Sequence, residues 1–296
     1  DFQRNLTAQP FVANEANLLR RMDAKKSLLK ANATVDKKSA NAVAAEIAAA
    51  HEPGTLTLVV VNRVARAQSI FALLKKQTAN KDTEIRLIHS RFRPSERQKV
   101  QAEALSGDFR GILVATQAIE AGVDISAKTL FTELAPWPSM VQRFGRLNRA
   151  GEHPVANAFW IDLDSSDKEL ALPYEADHLN VARQKIRSLT DVGPASLSRV
   201  PKEVEQPVLP VLRKKDLLEL FDTEPDLAGH DIDISRFVRA TDERDVQVAW
   251  RSLNNLQPDA ACPALQREEL CSVPFYELER LLKSTGGGAW RFDALK

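Results

Sequence analysis

Gln142, Arg146 and Arg149 stand at spacings of four and seven within MVQRFGRLNRAG, residues 140–151. Pro138 ahead of this segment and Gly151 at its end are ordinary helix punctuation. The spacing predicts one helix that carries all three side chains on a single face. Two guanidinium forks and an amide pointing the same way suit a polyanion, above all the terminal phosphates of a nucleotide. Gly145 lies between them and has no side chain to hinder close approach. A solvated basic helix face is the competing reading. The glutamine, the glycine and the apolar strand upstream favour the ligand.

A second group of polar residues falls directly after apolar runs. Asn62 and Arg63 follow Leu56 to Val61. His89, Ser90 and Arg91 stand at the end of the run Ile85 to His89, and Thr116 and Gln117 follow Ile112 to Ala115. Short continuous apolar runs are what strands buried on both faces require. Leu130 to Leu134 and Ala158 to Ile161 read as two more. Helical segments alternate with them: one capped by Asn62 and running through Leu74, another opened by a Ser95/Gln98 capping box and reaching Leu105. This alternation predicts an α/β lobe of the RecA-like kind, with a mainly parallel sheet covered on both faces. Ligands of such sheets gather outside the carboxyl ends of the strands, where these polar residues fall. Ser90 can donate to a phosphate oxygen there.

The flanks read differently. Residues 1–53 are expected to be a helical linker, with helices over 14–31 and 39–51 stopped by Pro53 and Gly54. Residues 54–165 are expected to be the lobe, and residues 166–296 a C-terminal accessory region. In the last region, helices are expected over Tyr174 to Leu189 and Asp216 to Phe221, and a strand over Val246 to Trp250. The prolines between Pro194 and Pro210 suit an extended connection.

The chain has 296 residues, 44% of them hydrophobic and 27% charged, the composition of a soluble globular protein. No apolar run approaches the ~20 residues that span a membrane. Two cysteines, Cys262 and Cys271, make no disulfide framework, and a reducing, cytoplasmic setting follows. Net charge is +1 but unevenly placed: fifteen Lys/Arg against nine Asp/Glu over residues 55–155, and eighteen against twenty-five over 156–296. The basic excess sits where a phosphate-binding surface would need it. DERD at Asp242 to Asp245 imitates a magnesium box, but no apolar strand precedes it. His230-Asp231 lacks companion ligands, so no metal site is expected.

QRFGRLNR resembles the Q-R-x-G-R-x-x-R signature that ends the motor core of superfamily 2 helicases. ILVATQAIEAGVDIS is similar to the motif that precedes it there. FTELAPWPSMVQRFGRLNRAGE resembles the CRISPR-associated helicase-nucleases of type I systems, and so does the HSRF phrase within LIHSRFRPSER. The resemblance covers residues 55–165. DLLELFDTEPDLAGHDIDISRFVR is similar to a C-terminal segment of one subgroup. The resemblance implies the second motor lobe of an ATP-dependent DNA helicase acting in antiviral interference.

It also implies roles at matching positions. Arg146 and Arg149 would reach ATP as arginine fingers, with Gln142 beside them. Gly122 would permit a tight turn and Asp124 would accept from the ribose. Ser90, Arg91, Thr116 and Gln117 would hold the backbone of single-stranded DNA. No Gly-Lys-Ser/Thr occurs in the chain. The phosphate loop and the carboxylates for Mg²⁺ are therefore expected on a first lobe, and the isolated chain is expected to be inactive. Implied partners are that first lobe, a nuclease domain and a CRISPR RNA-guided surveillance complex. A lobe of a general DNA or RNA helicase, or a stand-alone binding module, are the alternatives.

Overall fold

A computed structural model describes residues 15–36, 39–79, 83–104, 108–201, 213–221, 245–249 and 265–284. The chain divides into two compact units, residues 1–201 and 202–296.

The first unit is built on a six-stranded sheet. Its strands are β1 (Lys26–Lys30), β2 (Leu56–Val60), β3 (Ile85–Ile88), β4 (Gly111–Ala115), β5 (Thr129–Glu133) and β6 (Ala156–Ile161). They lie in the order β1-β6-β5-β2-β4-β3, and every pairing is parallel. The central strands β2, β4 and β5 are buried at every position. That is why their sequences are unbroken apolar runs rather than alternations. Helices α2 (Ala40–Ala50), α3 (Val64–Gln77), α4 (Pro94–Ala104), α5 (Trp137–Phe144) and α7 (Ala176–Arg187) connect or cover them. Two short helices of this unit, α6 (Lys168–Ala171) and α8 (Pro194–Ser198), flank α7. The expected RecA-like α/β class is borne out.

Both flanks hold an expected helix, α2 within 39–51 and α7 within 174–189, but depart from expectation around them. Residues 15–31 hold not one helix but a short α1 (Glu15–Met22) followed by strand β1. Long-range pairing makes that strand. Lys26 to Lys30 pairs residue for residue with β6, from Ala156 to Trp160. On its other side Leu28 donates to Thr190 O at 2.9 Å, and Val192 donates to Lys26 O at 2.8 Å. The expected boundary between 165 and 166 is likewise no break in this unit. Helix α7 buries Leu179, Ala182 and Ile186. Its Arg183 donates to Asp162 (2.8 Å) and to Leu163 O (2.7 Å) just past β6.

Two local expectations fail for identifiable reasons. Asn62 does not cap α3, because its amide donates to Leu134 O at 2.8 Å instead. Helix α4 opens at Pro94, one residue before the expected Ser95 cap, with the fixed φ of proline suited to a first turn.

In the second unit, α9 (Lys214–Leu220) matches the expected short helix. Strands β7 (Asp245–Val248) and β8 (Cys271–Pro274) pair antiparallel, and α10 (Phe275–Ser284) follows. Asp245 opens β7, while the rest of DERD, the His230-Asp231 pair and Cys262 lie outside the described residues. Among the described residues no helix is long and apolar enough to cross a membrane.

Candidate functional site

The arginine segment does not form the single helix face its spacing suggests. Helix α5 starts with Pro138 in its first turn, as expected, but ends at Phe144. From there the chain is drawn against the segment before β5: Ala127 donates to Arg146 O at 2.9 Å, and Asn148 donates to Ala127 O at 2.7 Å. Asn148 takes φ 41°, a left-handed conformation that Asn tolerates better than most residues. Its side chain holds the turn through His153 O (2.8 Å) and His153 N (3.1 Å). Gln142 is left exposed on α5, while Arg146 and Arg149 lie beyond the helix.

Arg146 is buried. Its guanidinium donates to the carbonyls of Ile119 (3.2 Å) and Glu120 (2.6 Å). Burial, then the neighbouring Arg149 charge, lower its proton affinity, and Asp124 opposes them. Arg149 is 44% exposed and bonds Asp124 at 2.7 Å. Asp124, Arg146 and Arg149 are therefore neighbours, although 22 to 25 residues separate the aspartate from the arginines. Gly122, two residues before Asp124, has φ 71°, which only glycine adopts readily. A cleft of about 490 Å³ opens beside Asp124 and Arg149.

The residue that spacing arguments passed over is Arg143. It is fully buried. It donates to Glu120 Oε1 (2.8 Å), Thr132 Oγ1 (3.1 Å), Glu133 O (2.9 Å) and Asn62 Oδ1 (3.0 Å). Glu133, also buried, accepts from the Asn62 backbone at 2.9 Å and pairs with Arg66. These groups fill the crevice outside β2 and β5 with protein atoms. A sequence signal existed: Met140 and Leu147, three before and four after, put Arg143 on the apolar face.

At the ends of β3 and β4, Ser90 is exposed, Arg91 half-buried and Thr116 buried. Thr116 N extends the β3–β4 ladder by bonding Ile88 O at 3.2 Å, so the two strand ends lie side by side. Gln117 turns its amide inward, to Asn62 O (2.8 Å) and Tyr174 Oη (3.2 Å).

His89 shapes this edge. It is 3% exposed, stacks on Phe92 at 4.3 Å, and accepts the Arg91 N–H at 3.1 Å on Nδ1. Burial, with Arg91 adding to it, lowers its pKa to about 4. A chain unfolded at its ordinary value near 6.5 binds more protons between those limits. Stability should then be full above pH 6.5 and fall as pH drops toward 4, by on the order of 1–3 kcal/mol from this group. Urea unfolding across that range checks it: His89→Asn should flatten the slope, and an unaltered slope would refute the assignment.

The family comparison agrees with the motif reading. Residues 53–152 match the family described as CRISPR-associated nuclease/helicase Cas3, C-terminal. A CRISPR-associated nuclease/helicase Cas3 of Haloferax volcanii is 44% identical over 77 residues, 25% of this chain and 8% of that protein. A CRISPR-associated helicase Cas3 of Thermoproteus tenax is 30% identical over 118 residues, 38% of this chain and 20% of that protein. The chain thus spans a minor part of these relatives. The crystal structure of T. fusca Cas3 superposes on 60% of this chain and 23% of its own, with TM-score 0.50 and 19% identity, a likeness of fold.

Proposed function

We propose, from the match of residues 53–152 to the family described as CRISPR-associated nuclease/helicase Cas3, C-terminal, that this chain is the second motor lobe of a cytoplasmic, ATP-dependent helicase. The enzyme moves along single-stranded DNA in CRISPR interference. The observation that carries the reading is the separation of two polar groups on one rigid sheet. Asp124, Arg146 and Arg149 cluster around the turns that follow α5 and precede β5. Ser90, Arg91 and Thr116 sit at the carboxyl ends of β3 and β4. A motor lobe needs this division, one group for the nucleotide and one for the track.

The residues fit a nucleotide. Asp124 and Arg149 are bound to each other, and each can exchange that partner: the carboxylate for ribose hydroxyls, the guanidinium for phosphate oxygens. Arg146, fixed by two carbonyls, directs its charge from a set position. Both arginines stabilise charge that grows on the transferring phosphoryl group. Among the described residues no three His, Cys, Asp or Glu gather to hold a metal. Mg²⁺ and the phosphate loop belong to a first lobe, with which this lobe closes over ATP. A nuclease domain and an RNA-guided surveillance complex complete the assembly.

On the track side, Ser90 and Arg91 grip phosphates and Thr116 adds a hydroxyl, while Gln117 supports the loop from inside. Its inward amide favours support over direct contact.

The test uses the isolated chain, which should bind single-stranded DNA without hydrolysing ATP. Arg91→Ala should flatten the dependence of log affinity on log salt by roughly 0.7, one phosphate contact. Thr116→Ala removes a neutral hydroxyl and should lower affinity with the slope unchanged. Wild-type slope and affinity in both variants, or DNA-stimulated phosphate release by the purified chain, would sink the reading.

A further inference from the structure

The cleft beside Asp124 and Arg149 has a wall that the arginine motif does not supply. Arg21, from the segment leading into β1, lines it, and Arg110, from the turn before β4, lines it as well. Three arginines therefore line one space, Arg110 with its Nη1 donating to Phe109 O at 3.0 Å, and Asp124 and Glu152 are the acidic lining. Both carboxylates already have cationic or imidazole neighbours: Asp124 bonds Arg149 at 2.7 Å, and Glu152 lies 3.5 Å from His153. Ser126, also on the lining, accepts the Ala150 N–H at 3.2 Å and keeps its hydroxyl hydrogen to donate.

Arg21 is held there by a close backbone approach. Gly151 has φ 67°, and a Cβ on it would come within 2.4 Å of the Arg20 carbonyl oxygen. The segment carrying Arg21 thus lies directly on the end of the arginine motif, at a place only glycine allows. Lys26, buried at the start of β1, extends the same positive region. Burial lowers its pKa to about 8, with Asp191 opposing and Arg149 adding to the effect.

Resting on the nucleotide reading above, we propose that this cleft is a phosphate seat, and that Arg21 and Arg110 join Arg149 in binding the phosphate chain of the nucleotide. The planar forks suit tetrahedral phosphate oxygens, which a lysine would meet only as a point charge. The N-terminal segment is then part of the nucleotide site and feels whether phosphate is present.

Calorimetric titration of the full 296-residue chain tests this. Inorganic tripolyphosphate and ATP should both bind and compete with each other, while adenosine does not compete. Arg21→Gln and Arg110→Gln should each weaken tripolyphosphate about tenfold, a loss of one guanidinium contact. Lys76→Gln, exposed on α3, should bind as wild type does. Gly151→Ala should weaken binding by displacing Arg20 and Arg21; if it fails to fold, the two glutamine variants carry the test. Wild-type affinity in both glutamine variants, with weakened binding in Arg149→Ala, overturns the seat and leaves the arginine-motif reading standing. Normal affinity in Arg149→Ala refutes that reading itself. Absence of tripolyphosphate binding at millimolar ligand, or competition by adenosine, also overturns the seat.

Discussion

Arg149→Ala in the intact enzyme should lower ATP turnover by about 10³–10⁵-fold, the range that arginine fingers contribute in other phosphoryl-transfer systems. Single-stranded DNA affinity should change little. The expectation follows from where the side chain stands. Arg149 is partly exposed and bonds Asp124, itself 87% exposed, so its removal takes away a surface charge without opening the core. Lysine should not restore turnover, because it lacks the planar fork. Arg146→Ala should lose turnover too, but for two reasons that must be separated. Its guanidinium also ties down the Ile119 and Glu120 carbonyls, so the loop before Gly122 loosens. Single-turnover hydrolysis and DNA affinity, measured on the same variants, decide the matter. Arg149→Ala that hydrolyses ATP normally but releases DNA would put the arginine motif on the track.

Arg143→Ala should be the most destabilising single change in the lobe. It removes four hydrogen bonds and leaves Glu120, Asn62, Thr132 and the Glu133 carbonyl without their shared donor. Breaking one partner of a buried ion pair costs about 3–5 kcal/mol, because the other charge stays behind uncompensated. With urea slopes of roughly 1–3 kcal/mol per molar, the unfolding midpoint should drop by on the order of one molar or more. Arg143→Lys should rescue little, since one ammonium cannot reach Asn62 past β2, the acceptors on β5 and the Glu120 loop at once. Pairing Arg143→Met with Glu120→Gln should recover part of the loss, as it removes the orphaned charge. Equal loss in the single and double variants would show that the Glu120 pair is not what holds the site.

These two arginines, six residues apart in one basic phrase, show what a sequence can and cannot separate. The spacing of Arg149 with Gln142 and Arg146 announced phosphate chemistry, whereas Arg143 fell outside that pattern, and the match of residues 53–152 to the Cas3-like C-terminal family agrees with the motif order. The strands β2, β4 and β5 were also legible, because burial on both faces leaves an unbroken apolar run that needs no partner to recognise. Polar residues at the ends of those runs followed from the same pattern.

What lay beyond the sequence depended on pairings between distant segments. KSLLK became strand β1 only by lying between β6 and Thr190 to Val192, partners more than 120 residues away. Helix α5 stopped at Phe144 because Ala127 captured Arg146 O and the Asn148 N–H, a pairing that local propensity does not contain. The same tertiary contacts sorted the arginines. Arg143 entered the core because Glu120, Asn62 and β5 together supply acceptors for its whole fork; Arg149 stayed at the surface beside Asp124. The sequence by itself determined the class of sheet and the chemistry of the motif, since both are written in local residue types. Which arginine is buried and which stays exposed, and which N-terminal residue lines the cleft beside it, only the tertiary structure decided, because burial and partnership are properties of the assembled neighbours.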